Sequence, residues 1–401
     1  MPVNDLGELS DAQLAAETAE KVARPRRDPA DSFVLHAPLE LTARASLLPY
    51  VRPDRRDVAR ARLFELGRRF QGWGPAAALP TVDDRAYTDA AAAADALVRA
   101  VAQGDPDGVD APASWLGDRV APAQLASLVG PEVLPRLGAA AHAPILLFHL
   151  PRVAPRGELT GRLVRPLVRE LARMPDTRLR WIEDRSATHD SPAEALAEAL
   201  ASVHRRGRPE IGFIAPTMER IDDAETSRLL GPLVGGRDIA ARSRVVLRTA
   251  ARSMLLESTE FAPYIWTHCL TLPQAALGCA PSLPDPSLAL AVAASHVAGF
   301  RAAFAARDLC GALPEPLEGS LDDAIEAGPD DAARVAIGAD PSVRSDLIAV
   351  LVSRAAAHTD AHYVKYTLAC LDAAADDPAS AGLYLAAAAK LAGYWSQIEP
   401  E

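Results

Sequence analysis

The sequence predicts an all-α protein, a single large multi-helix body, and three observations about the residues predict it. Apolar residues make up 49% of the 401 and aromatics only 5%, so the apolar content is mostly small and aliphatic, which suits close-packed helices better than sheets. Apolar positions recur at helical spacing in nearly every segment, from Leu9, Leu14 and Ala15 through Val58, Ala61, Leu63, Leu66 and Phe70, while strand alternation is scarce. The 33 prolines fall mostly between these blocks, as in Arg24–Pro29 and Leu283–Pro286, where they stop helices or open them.

Taken in order, residues 1–30 read as an N-terminal helical extension and residues 31–401 as the main helical domain, with about a dozen helices in all. Helix starts are expected at Asp54, at Asp190 or Ser191, at Asp285 and at Ser342, each a capping side chain before an apolar-periodic run. The stretches 76–85, 103–113 and 313–330, rich in Pro, Gly and Asp, are expected to be the least ordered. No repeat of constant length recurs. Leu288–Ala306 is the most apolar long stretch, but His296 and Arg301 interrupt it, so a buried helix is expected and not a membrane span.

Composition narrows the function. The net charge of −11 has the wrong sign for a general nucleic-acid binder. The four cysteines show no C-x-x-C spacing, and Met1–Asp5 lacks the basic and apolar regions of a secretory signal, so a reducing, cytoplasmic setting is expected. Phosphate-loop, dinucleotide and nucleophile-elbow motifs are missing, which removes bound nucleotides and serine hydrolysis from the leading readings.

The nine histidines divide by their surroundings. His189 and His204 have polar or charged neighbours and read as solvated. His36, His149 and His268 follow the apolar runs Phe33–Leu35, Ile145–Phe148 and Tyr264–Thr267, where an imidazole needs a hydrogen bond or a metal. The densest group is Ala357–Tyr366: read as one helix, spacings of four and three put His358, His362 and Lys365 on one face. A lysine buried there needs a lowered pKa or a compensating charge, whereas a surface pairing with Asp360 or Asp372 would leave it ordinary. Glu40 suits a metal pair with His36 at helical spacing, or only the first turn of a helix opened by Pro38. Cys269 points about 100° away from His268 on a helix and reads as packing. Tyr264 and Trp266 are either core or contacts for an aromatic substrate.

Four segments together, Leu35–Leu41, Leu147–Arg152, Tyr264–Thr271 and Asp360–Lys365, resemble in order and spacing the questin oxidase-like family, over about residues 30 to 395. The resemblance implies a mononuclear Fe(II) centre held by four histidines and a lysine carboxylated by CO2. Carried over to this sequence, the metal ligands are His36, His149, His268 and His362, with Lys365 as the carbamate, and His268, His362 and Lys365 stand at the reacting centre. A carbamate makes chemical sense for a buried lysine, because it turns a costly ammonium into an anionic oxygen ligand. Five protein ligands leave one open position, so no 2-oxo acid co-substrate is expected. Pro151 and Pro155 depart from the family's pattern by ending a helix after His149, which makes His296 and His358 its reserves; His358 alternatively orients a ligand by hydrogen bond.

The resemblance thus implies an iron-dependent oxygenase that uses O2 to cleave or oxygenate a polycyclic aromatic, hydroquinone-like polyketide. Two readings compete with it: a zinc hydrolase built on His358, Asp360 and His362, and a non-catalytic α-helical scaffold. None of the three calls for nucleic acid or a membrane, and both a monomer and a homodimer fit.

Overall fold

The computed structural model describes residues 9–23, 29, 31–72, 80–153, 158–185, 191–205, 214–236, 238–309 and 311–399. Among them are nineteen α-helices and no strand, so the protein is all-α. Arg136 and Arg178 make a lone antiparallel bridge. The helices exceed the expected dozen, and Ala357–Tyr366, read as one helix, is divided between two. Proline also acts in both ways: Pro122, Pro286 and Pro329 open helices, while Pro38, Pro131, Pro151, Pro166, Pro232 and Pro273 lie inside them. Two of the expected loops carry helix as well, since Asp110–Arg119 begins inside 103–113 and Leu321–Ala327 lies inside 313–330. Asp285 does cap its helix, accepting from Ser287 N at 3.0 Å; Ser342 instead lies in a short turn capped by Asp340.

The chain forms two compact units, residues 1–48, 57–179 and 278–289 in the first and 49–56, 180–277 and 290–401 in the second. The first is built from α1 (Asp11–Val22), α2 (Ser32–Leu47), α3 (Arg56–Gln71), α4 (Ala90–Ala102), α5 (Asp110–Arg119), α6 (Pro122–Val133), α7 (Ala143–Val153) and α8 (Glu158–Arg173). Ser10 and Gln13 close a reciprocal capping box on α1, and Asp31 caps α2 by accepting from Val34 N at 2.9 Å. α5 and α8 touch backbone to backbone: a Cβ on Gly117 would lie 2.2 Å from Gly161 N, so only glycine fits. Beside that contact Arg165 grips Asp110 with two bonds of 2.8 Å, and Arg169 reaches the same carboxylate at 2.9 Å.

The second unit contains α9 (Ala193–Ser202), α10 (Ile214–Glu219), α11 (Ala224–Val234), α12 (Ile239–Leu256), α13 (Thr267–Cys279) up to Leu277, α14 (Pro286–Phe304) from Leu290 on, α15 (Leu321–Ala327), α16 (Pro329–Gly338), α17 (Arg344–Ala357), α18 (Ala361–Asp376) and α19 (Ala381–Ile398). α14 is long and apolar enough by composition to cross a membrane, but 94% of its apolar window is buried inside the protein. Its Arg301 is fully buried, and satisfies its guanidinium on the carbonyls of Leu200, Ala201 and Arg307 and on Ser253 Oγ. α19 approaches its neighbours closely through small residues, Ala386–Ala389, Ala392 and Gly393. A Cβ on Gly393 would meet the backbone of Gly328, itself at φ 139°, at 2.7 Å.

Candidate metal centre

In the second unit the π turn Ala262–Trp266 leads into α13. Such a wide turn frees carbonyls from the regular ladder and recurs at functional sites. Here the Tyr264 carbonyl accepts from Thr267 Oγ1 at 3.0 Å and from Nδ1 of His268. A carbonyl only accepts, so His268 carries its proton on Nδ1 and keeps the Nε2 lone pair for a ligand role.

His362 reaches the same place from α18. The expected continuous helix through His358 is interrupted: α17 ends at Ala357, His358 is its C-cap, and Asp360 caps α18 by accepting from the amides of His362 at 2.8 Å and Tyr363 at 3.0 Å. His358 therefore does not share a helical face with His362 and Lys365. Its Nδ1 accepts the Asp360 amide at 3.0 Å and its Nε2 lies 3.2 Å from Glu399, so both nitrogens are engaged away from the centre. The set His358, Asp360 and His362 expected for a zinc hydrolase is thus not brought together around one point.

Asp360 Oδ1 also lies 3.6 Å from His362 Nδ1, an ion-pair distance longer than a hydrogen bond. Burial alone would raise the Asp360 carboxyl, but the His362 ring and the two capping amides bring it below its usual range.

The rings of His268 and His362 meet edge to face, centroids 5.0 Å apart, and their ligand atoms lie within 4.8 Å of each other. An ion bonded to both at the usual imidazole distance of about 2.0–2.1 Å needs them no more than roughly 4.2 Å apart, so a small ring rotation suffices. Lys365, one turn beyond His362 on α18, is only 4% exposed. Burial first, then the positive charges available on His362 and Lys365, hold His268 well below the ordinary histidine range, partly offset by the Tyr264 carbonyl. Such a crowd of basic groups is costly without an anion or a metal, and neutral imidazoles are what a metal takes. The residues fit a metal ion on their donor chemistry.

Aromatic groups surround this pair. Tyr264, 50% exposed, stands perpendicular to His362 with centroids 5.1 Å apart. Phe300 on α14 lies nearly parallel to both His268 and His296, at 6.4 and 6.5 Å. His296 is buried, and burial lowers its pKa to about 3. Trp266 is fully buried and donates Nε1–H to the Ser258 carbonyl at 3.2 Å, so it is a core residue. Cys269 is buried as well, its thiol pushed up to about 12 by burial, which matches a packing role.

The first unit holds the other expected ligands. On α2, His36 gives Nδ1–H to the Ser32 carbonyl at 2.6 Å, leaving Nε2 as its lone-pair nitrogen. Glu40 is committed to Arg44 at 2.7 Å on the same helix, so it is no companion ligand to His36, and Pro38 sits inside α2, which starts at Ser32. The residue that meets His36 is His142, edge on, with centroids 4.6 Å apart. Its Nδ1–H goes to the Ala139 carbonyl at 2.9 Å, again leaving Nε2. His142 follows a turn in which Ala139, Ala140 and Ala141 all take positive φ (52°, 52° and 56°), a conformation that costs a non-glycine residue about 1–2 kcal/mol.

His149 is buried in α7, which continues through Pro151 to Val153; the expected helix end does not occur, and Pro155 lies outside the described residues. Burial, then the nearby Arg152, lowers the His149 pKa to about 3, and its Nδ1 has no hydrogen-bond partner among the described residues. His204 is exposed, and His189 and Cys310 lie outside the described residues. His204 lines an open cleft of about 470 Å³ with Arg220, Asp223 and Glu225. The floor of that cleft includes Ala298 and Ala302, on the face of α14 away from His296 and Phe300.

Comparisons with protein-family models, with curated proteins and with solved structures return no match for this chain.

Proposed function

We propose that the protein is an iron-dependent oxygenase acting on a polycyclic aromatic, hydroquinone-like substrate, with His268, His362 and Lys365 at its metal site. The observation that carries the metal reading is the convergence of His268 and His362, whose ligand nitrogens lie within 4.8 Å of each other beside buried Lys365, with the Tyr264 carbonyl taking the Nδ1–H of His268 and leaving its Nε2 lone pair for an ion. Iron bound there supplies a centre able to exchange electrons with O2. The choice of iron and of an aromatic substrate rests on the resemblance to the questin oxidase-like family, which adds His36 and a fourth histidine to the ligand set. His142, in ring contact with His36 and with its tautomer fixed in the same way, is favoured over His149 for that fourth place.

The residues divide the work. The Tyr264 carbonyl holds His268 in the tautomer that presents Nε2. Lys365, as its free amine, adds through Nζ to CO2, losing one proton and forming the N–C bond of a carbamate whose oxygen is the anionic ligand. Tyr264 and Phe300 supply aromatic surface beside the histidines. The test is elemental analysis of protein purified without added metal, followed by oxygen uptake with candidate hydroquinones. About one iron per chain is expected, lost on His268→Ala or His362→Ala and kept on His204→Ala. Metal-free protein, or activity with zinc alone, overturns the reading.

A further inference from the structure

The cleft of about 470 Å³ at His204 lies wholly in the second unit and takes no part in the chemistry above. Its interior is apolar: Ile221 and Leu230 are buried, Ala298 and Ala302 of α14 form the floor, and the exposed Leu229 of α11 stands at the wall. Sites for small organic molecules have this build, an apolar interior of about 300–1,000 Å³ with a few polar groups at the edge.

Charge selects the ligand. Asp223 spends Oδ1 on the Thr226 amide at 2.7 Å as the cap of α11 and keeps Oδ2. Glu225 is exposed, and neither carboxylate has an ion-pair partner among the described residues. His204 gives Nδ1–H to the Ser202 carbonyl at 2.9 Å, so its Nε2 is a further acceptor. Against these stands a single cation among the described lining side chains, Arg220. The net charge of −11 draws cations in the same sense. A metal ion needs converged ligands, and His204, Asp223 and Glu225 are not among the described side chains whose ligand atoms lie within 4.8 Å of one another.

We propose that this cleft binds a small organic cation, a primary amine on an apolar body, with the ammonium at Asp223, Glu225 and His204 and the body over Ala298 and Ala302. An ammonium offers three donors and no acceptor, which matches three acceptor side chains. The body covers apolar surface that is otherwise left to water. The proposal is independent of the metal reading.

The probe is phenethylamine, titrated calorimetrically into the full chain, with phenethyl alcohol and hydrocinnamate as the neutral and anionic forms of a similar body. The amine should bind about tenfold tighter than the alcohol, and the carboxylate more weakly than either, with the preference shrinking as salt is raised. Asparagine caps a helix as aspartate does, so Asp223→Asn with Glu225→Gln should melt with the parent protein and bring amine and alcohol within about twofold of each other. Ala302→Phe fills the interior and should abolish binding of all three. No binding of the amine, equal affinity for amine and carboxylate, or a preference that survives the double variant overturns the proposal. So does an Ala302→Phe protein that still binds the amine, or one that differs from the parent only in oligomeric state, which would make the cleft a contact between copies.

Discussion

His142 stands edge on to His36, with ring planes at 74°, and each ring hands its Nδ1–H to a backbone carbonyl three or four residues earlier. Two imidazoles with matching tautomers therefore present Nε2 atoms in the same neighbourhood, and one of them is reached only through a strained turn of three alanines. Strain of this kind persists where the surrounding structure needs the conformation.

His142→Ala is accordingly expected to cost more iron than His149→Ala. Loss of a ligand should cut occupancy at least tenfold, whereas His149→Ala should act mainly on stability through a small cavity. Iron content of the two variants, normalised to folded protein, decides between them. The reverse order would return His149 to the ligand set.

Lys365→Arg keeps the positive charge yet cannot form a carbamate, so it should lose iron as fully as Lys365→Ala. In the parent protein stripped of metal and CO2, activity should return only when iron and bicarbonate are both supplied. Full activity with iron alone in CO2-free buffer would exclude the carbamate.

Acid should destabilise both units through buried neutral imidazoles. His149 and His296 have folded pKa values near 3, against an ordinary value of 6.5, so the unfolded chain binds more protons between those limits. Their contribution is fully present above pH 6.5 and is lost as pH falls toward 3, on the order of 5 kcal/mol for each ring. Urea melts of metal-free protein from pH 7 to 4 should show this fall, and His296→Gln should flatten its share. A stability that does not change over that range would count against the burial of both rings.

Trp266 and Tyr264 should separate packing from binding. Trp266→Phe removes a buried indole and its bond to Ser258, so about 1–3 kcal/mol of stability should go with little change in KM. Tyr264→Ala, at an exposed ring against His362, should leave the melting temperature nearly unchanged and raise KM for an aromatic substrate. Equal effects on both quantities in both variants would show that the two roles are not distinct.

The helices were legible because their apolar spacing is regular, and His268 and His362 because each is flanked by apolar residues in a recognisable order. His358 misled the helical reading, although Asp360 carried the signal of a new start: an aspartate whose carboxylate caps the amides two and three residues on. His142 gave no such signal. Its position depends on Ala139–Ala141 adopting left-handed backbone, and alanine is the residue whose local preference argues most strongly for an ordinary helix. Nor does sequence spacing reveal that Glu40 is already engaged by Arg44.

The π turn at Ala262–Trp266 makes chain length, more than side-chain identity, the sensitive quantity in this stretch. A π turn holds one residue more than an α turn, so deleting any one residue there would let the segment relax to regular helix and swing Tyr264 by about 100° around the axis. Its ring would leave His362 and its carbonyl would be drawn back into the ladder, away from the imidazole it anchors. A scan of single-residue deletions should thus show a sharp intolerance at these five positions, where many single substitutions pass unnoticed.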